Sequence, residues 1–278
     1  MYQLLMETSP VVSMLFAFGV GTIIGSFLNV VIYRIHTGKS LSGNSHCLSC
    51  GKALAWYDLF PVVSYIFLRG KCRQCGCRFT ARYAAVELLT GILFVAAVFA
   101  TSNAESLLLL WSMLSVLVVI TVYDLRHFII PDTLTSILTV LVIAYTILPF
   151  LLSYQYFVYA ENVLAAIVGS GFLFLLWFMS QGQWLGFGDV KLAFPLGLLV
   201  GSEYVFSFIV LSFWIGAAVS VALLGLVKVT NMARGKLRLP FVSQSLTIKS
   251  EVPFAPFLIA GCLVAFFLKI HVLDLFTV

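Results

Sequence analysis

The sequence predicts an all-α polytopic membrane protein of about eight transmembrane helices, with one small soluble module between the first two. Three observations predict it. Hydrophobic residues make up 62% of the 278 positions, and the mean hydropathy is +1.08, outside the range of water-soluble domains. Charged residues supply only 10%, too few to cover a soluble surface. Long apolar runs recur along the chain and are interrupted by a stretch rich in basic residues and cysteine over residues 34–83.

Taken in order, the spans are expected at roughly 10–33, 84–100, 107–123, 133–152, 162–180, 190–200, 204–227 and 254–270, since a crossing helix needs ~20 apolar residues. The run from Met14 to Ile32 is too long for a signal-peptide core, and no small-residue cleavage site follows it. It reads as a first span. The sixth span is short, and the turn after it is placed near Gly201-Ser202-Glu203. This divides the chain into a first transmembrane helix (1–33), a cysteine-bearing module (34–83) and a transmembrane domain (84–278).

The formal charge of +5 is distributed by topology. Arg34, Lys39, Lys52, Arg69, Lys71, Arg73, Arg78 and Arg82 fall in the module loop. Arg126, Lys191 and the group Lys228, Arg234, Lys236, Arg238 and Lys249 fall in alternate loops on the same side. Of the 16 basic residues only Lys269 lies elsewhere, and the loops 101–106, 153–161 and 201–203 have none. The positive-inside rule puts the module in the cytoplasm and both termini outside. The basic groups set topology first and contact anionic lipid second, so a nucleic-acid partner is not expected.

The module holds two Cys-x-x-Cys dyads, Cys47-Leu48-Ser49-Cys50 and Cys72-Arg73-Gln74-Cys75, separated by residues 51–71. That spacing suits a four-thiolate structural zinc site, and a reducing cytoplasm favours thiolate–metal bonds over disulfides. Exchangeable disulfide chemistry is the competitor, but it needs the dyads on the oxidising face. His46 is expected to be a solvated neighbour rather than a substitute ligand, Cys77 a spare thiol, and Cys262 a small buried hydrophobe.

Among the eleven acidic residues, Asp124, Asp132 and Asp189 lie at cytoplasmic membrane borders, where ionisable groups are costly and usually serve function. Asp132 follows Pro131 and is expected to cap the helix after it. Asp124 ends the run Leu114–Tyr123, where pairing with Arg126 or His127 is the bland alternative. Asp189 closes Gly186-Phe187-Gly188-Asp189, whose glycines are expected to permit positive φ and a close approach of another chain. Glu87 is expected to compensate a helix end or to pair with Arg82. Asp124 and Asp189 are taken as a functional pair. One ionised carboxylate can take a proton from water while the other, protonated, hydrogen-bonds a scissile carbonyl. Close apposition disfavours double ionisation, so the pair titrates as a unit. The competing reading is an ion- or proton-coupled transporter using the same aspartates, but their border position and the lack of an inverted repeat disfavour it.

These residues resemble the type IV prepilin leader peptidases, within the Gly-x-Gly-Asp intramembrane aspartyl proteases. The likeness runs from Gly25-Ser26-Phe27-Leu28-Asn29 to Arg34, through both dyads, Ser64-Tyr65 and Leu68-Arg69-Gly70-Lys71-Cys72, to Arg82-Tyr83 with Glu87. It continues with Ile130-Pro131-Asp132, Gly186-Phe187-Gly188-Asp189-Val190-Lys191 and Pro253-Phe254-Ala255-Pro256-Phe257. The resemblance implies that Asp124 and Asp189 are catalytic, that 84–278 is the protease domain, and that the setting is the bacterial inner membrane. It implies prepilin or pseudopilin substrates with a short basic leader, cut after a glycine. It also implies N-methylation of the new amino terminus with S-adenosylmethionine, by residues that the sequence does not identify. Leu48, Asp58-Leu59-Phe60-Pro61 and Ala84 depart from the family pattern without touching a thiolate or a catalytic aspartate.

Overall fold

A computed structural model describes residues 9–276, apart from 39, 41–42, 44, 102, 154–155 and 233–251. Lys39, Arg234, Lys236, Arg238, Lys249, Glu7 and Glu251 therefore lie outside the described residues, and with them part of the charge pattern read above. Helices dominate: α1 (Pro10–Thr37), α2 (Val63–Phe67), α3 (Arg82–Ala100), α4 (Ala104–His127), α5 (Asp132–Ser153), α6 (Tyr156–Met179), α7 (Phe187–Met232) and α8 (Ala255–Leu268). Among the described residues, five stretches are long and apolar enough to cross a membrane: Pro10–Ile35, Arg82–Ala100, Ala104–His127, Tyr159–Met179 and Phe187–Gly225. Asp132–Ile147 and Ala255–Leu268 are shorter apolar helices. This is a helical membrane protein.

The expected turn at Gly201-Ser202-Glu203 is narrower than a loop. Only Gly201 leaves helical geometry (φ 76°), and α7 resumes at once. A left-handed φ is nearly free for glycine, and the Asn162 side chain accepts the Ser202 N–H at 3.0 Å, satisfying a donor exposed by the break.

The chain falls into two compact units, Met1–Val119 and Ile120–Val278, divided within α4. In the first unit, α1 packs on α3 through small residues. A Cβ at Gly21 would stand 2.8 Å from the Gly91 Cα, and one at Gly25 would stand 2.7 Å from the Glu87 Cα. Backbones therefore meet with no side chain between them, the packing that four-residue glycine spacing permits in lipid. Asn29 ties the helix ends together, donating to Tyr83 O at 3.1 Å. Trp111 stacks on Phe94 (4.8 Å between centroids) and donates Nε1–H to the Phe94 carbonyl at 3.1 Å.

In the second unit, α7 is the central element and packs against α5, α6 and α8. Gly197 lets α6 approach at Ala166, and Gly216 receives the Phe257 ring from α8. Ser212 turns its hydroxyl onto its own helix, donating to Phe208 O at 2.7 Å, so no buried hydroxyl is left bare at the α7–α8 contact. Cys262 is fully buried in this contact, as its apolar surroundings predict.

Candidate active site and metal centre

Among the described residues of the second unit, Asp124 and Asp189 are the buried carboxylates, 4% and 7% exposed. Asp124 lies one turn before the end of α4. Its carboxylate accepts the backbone N–H of Ala255, the first residue of α8. The Pro253-Phe254-Ala255-Pro256 segment thus aims an unpaired helix-start donor at Asp124, as an N-cap would from within the chain. Asp189 sits in the first turn of α7, and its Oδ2 accepts the Gly186 N–H at 3.2 Å. Its Oδ1 is buried and has no hydrogen-bond partner among the described residues. The two carboxylates lie within electrostatic reach of each other. The structure therefore brings together the pair singled out from the sequence.

The glycines meet half of the expectation, the close approach of another part of the chain, and not the positive φ. Neither Gly186 nor Gly188 has a positive φ; the left-handed residues of this loop are Gln181 and Gly182. What Gly186 and Gly188 supply is room. A Cβ at Gly186 would stand 3.3 Å from Asp189 Oδ2, and one at Gly188 would stand 3.3 Å from the Ile130 side chain.

Asp132 also departs from the expected cap. It opens α5, and its carboxylate pairs with Lys191 Nζ at 2.8 Å instead of capping its own helix. The lysine also lies over the Phe187 ring at 5.3 Å. This exposed contact fastens the start of α5 to the start of α7, beside Asp189, and sequence separation hid it.

In the first unit, the dyads form two matching knuckles. Cys47 N–H bonds to Lys52 O (2.9 Å) and Gly51 N–H to Cys47 O (2.8 Å); Cys72 N–H bonds to Cys77 O (2.8 Å) and Gly76 N–H to Cys72 O (2.9 Å). Gly51 and Gly76 take φ of 71° and 70°, which only glycine adopts freely. A glycine directly after each dyad was therefore a legible signal of the paired knuckles. The Sγ atoms of Cys47, Cys50, Cys72 and Cys75 all lie within 4.8 Å of one another, a set that could hold a metal ion.

The backbone sorts these thiols into two kinds. The Cys50 and Ser49 N–H groups facing the Cys47 sulfur bring its pKa down to about 6, and the Cys75 and Gln74 N–H groups lower Cys72 likewise. At Cys50 the Lys52 N–H pulls downward, but desolvation and the neighbouring sulfurs outweigh it and leave the thiol at about 11. At Cys75 the Cys77 N–H pulls downward, and the Cys77 thiol with desolvation carries it to about 11. Cys77 stays outside this four-sulfur set, as a spare thiol, but lies next to it. Its Sγ stands 3.4 Å from that of Cys47.

Glu87 is also placed otherwise than expected. It accepts the Val62 N–H at 2.7 Å and a Ser26 hydrogen bond, while Arg82 lies over the Tyr83 ring at 5.1 Å. Arg34 donates to Ser40 O at 2.7 Å and Gly43 O at 3.2 Å, holding the chain where it leaves α1.

Residues 111–221 match the type IV leader peptidase family, and residues 20–101 match the bacterial peptidase A24 N-terminal domain. The chain is similar to a prepilin leader peptidase/N-methyltransferase of Burkholderia pseudomallei, 30% identical over 88% of this chain and 82% of that protein. It resembles proteins of the same name from Myxococcus xanthus (34% identical, 75% of this chain, 62% of that protein) and Bacillus subtilis (29%, 91% and 93%). No solved structure matches. With both matched segments and a relative aligned over most of its length, the chain belongs to the type IV leader peptidase family.

Proposed function

We propose that this protein removes the short basic leader from prepilin-like or pseudopilin precursors at the cytoplasmic border of the bacterial inner membrane, using Asp124 and Asp189 to activate water. The observation that carries the reading is the pair itself: two buried carboxylates, one with a bare oxygen, at the ends of apolar helices. One ionised carboxylate takes a proton from water as its oxygen attacks the scissile carbonyl carbon. The other, protonated, donates its hydrogen bond to the carbonyl oxygen, and the tetrahedral intermediate collapses as the leaving amine takes a proton. The Ala255 and Gly186 N–H groups each occupy one lone pair and hold the carboxylates in orientation.

The chemistry needs no metal at the aspartates. Zinc is assigned to Cys47, Cys50, Cys72 and Cys75 as a structural ion. Sulfurs bound tetrahedrally at about 2.3 Å stand about 3.8 Å apart, and Cys47 and Cys75 are separated by 3.8 Å. The new amino terminus is then methylated, with S-adenosylmethionine as co-substrate, as the relatives' names describe for them. Counting the two arms of α7 separately and including the two shorter apolar helices gives eight spans. In this reading residues 1–33 form the first span, 34–83 the cytoplasmic zinc module and 84–278 the protease domain.

The test is to incubate the purified protein in lipid with a prepilin-type precursor, with and without S-adenosylmethionine, and to follow intact mass. Loss of a leader-sized fragment supports the peptidase, and a further methyl mass supports the second step. An uncut precursor together with proton flux would favour transport by the same aspartates instead.

A further inference from the structure

The segment Trp56–Phe67 carries an apolar stripe that the described residues of its own unit leave exposed. Trp56, Phe60, Ile66 and Phe67 are 73%, 53%, 66% and 81% exposed, and Leu59 and Val63 continue the row. Within α2, Val63, Ile66 and Phe67 share one face, and Trp56 and Leu59 do so within the 3-10 turn at Trp56–Leu59; the chain breaks helical geometry between them, with Phe60 extended and Val62 at φ 60°. The Trp56 ring meets those of Tyr57 and Phe60 edge-on, at 5.7 and 5.9 Å between centroids. A continuous exposed apolar row of this kind marks an interaction surface.

The opposite side of the segment fixes its depth. Val62 is a non-glycine residue at φ 60°, a costly conformation, and its N–H is held by Glu87 Oε2 at 2.7 Å. Glu87 is the sixth residue of α3, whose 19-residue apolar stretch begins at Arg82. At ~1.5 Å per residue α3 is about 28 Å long, roughly the whole hydrocarbon thickness. Arg82 therefore lies at the polar boundary, with Glu87 about 7 Å beneath it. A segment tied at that level sits where headgroups meet acyl chains, the depth at which amphipathic segments rich in Trp and Phe rest.

The surrounding charge selects the lipid. Asp58 is the one acidic residue between Arg34 and Arg82, and Arg73 already occupies it at 2.8 Å while lying over the Tyr57 ring at 5.1 Å. Arg69 and Lys71 follow α2 and are exposed.

We infer that Trp56–Phe67 is an interfacial anchor seated in a leaflet of anionic phospholipid, with Arg69 and Lys71 beside the lipid phosphates. The inference rests on α1 and α3 crossing a membrane, and it deepens the assignment of lipid as a partner. The experiment places p-benzoylphenylalanine at Trp56, at Phe67 or, as a control, at the exposed polar Gln74. The full-length protein is reconstituted in nanodiscs of phosphatidylcholine and phosphatidylglycerol, with zinc content and precursor cleavage measured on each sample. Irradiation is expected to give phospholipid adducts at positions 56 and 67 and not at 74, with phosphatidylglycerol exceeding its bulk share. Arg69→Gln is expected to lower that excess on the order of fivefold. Adducts to added precursor, equal adducts at all three positions, or no adducts from zinc-loaded samples would overturn the anchor. Cleavage without lipid adducts would remove the anchor and keep the peptidase; adducts from a protein that leaves the precursor uncut would do the reverse.

Discussion

Asp189 is positioned by backbone three residues upstream, and that places a sharp demand on Gly186. Its N–H must reach Oδ2 at 3.2 Å in a space where a Cβ would stand 3.3 Å from the same oxygen. Gly186→Ala is expected to displace the carboxylate and lower kcat about tenfold or more, since small misplacements of reacting groups are expensive. Steady-state cleavage with unchanged zinc content checks it. Cys77 makes the opposite demand. Although 3.4 Å from Cys47, it lies outside the four-sulfur set, so Cys77→Ser is expected to keep one zinc per chain while Cys47→Ser loses it, by metal analysis. The buried positions of the aspartates were legible because two acidic residues at the ends of apolar runs, one of them in Gly-x-Gly-Asp, are harder to explain together than singly as a cap or an exposed ion pair. The partners of Asp132 and Glu87 were not, because Lys191 and Val62 are distant in sequence and nothing local in the chain marks a long-range hydrogen bond or ion pair.

At the scale of elements, the apolar cores of the spans were readable and their ends were not. An apolar run stops at the first polar residue, but the hydrogen-bond ladder does not. It carries α1 on to Thr37, α4 through Asp124 to His127, and α7 back to Phe187, so that both aspartates lie within helices. The α1–α3 contact is the element most exposed to a small change. With its Cβ position 2.7 Å from the Glu87 Cα, Gly25→Val is expected to destabilise the first unit by about 1–3 kcal/mol or more through overpacking, read as a lowered unfolding midpoint in detergent. The paired knuckles make a further prediction. Without metal, Cys50 and Cys75 are held at about 11, so metal uptake must expel at least those two protons near neutral pH. Apparent affinity is then expected to rise at least about a hundredfold per pH unit between about 7 and 10, measured by chelator competition. A pH-independent affinity would contradict the thiol assignment.

Across the whole molecule, helical membrane class followed directly from composition, because so few charged residues cannot clothe a soluble surface. The order of motifs pointed to the family, and the two matched segments bear that out. What composition could not give is how the chain divides its labour. The metal-ligand cluster lies in the unit ending at Val119 and the buried aspartates lie in the unit that follows. Hydrolysis by these aspartates is read out by comparing wild type with Asp124→Asn and Asp189→Asn on one precursor. Both variants are near-isosteric, so zinc content and unfolding midpoint should stay at wild-type values. Intact-mass time courses are expected to show cleavage reduced roughly 10²- to 10⁴-fold in each. Cleavage at the wild-type rate in either variant would remove that aspartate from the chemistry.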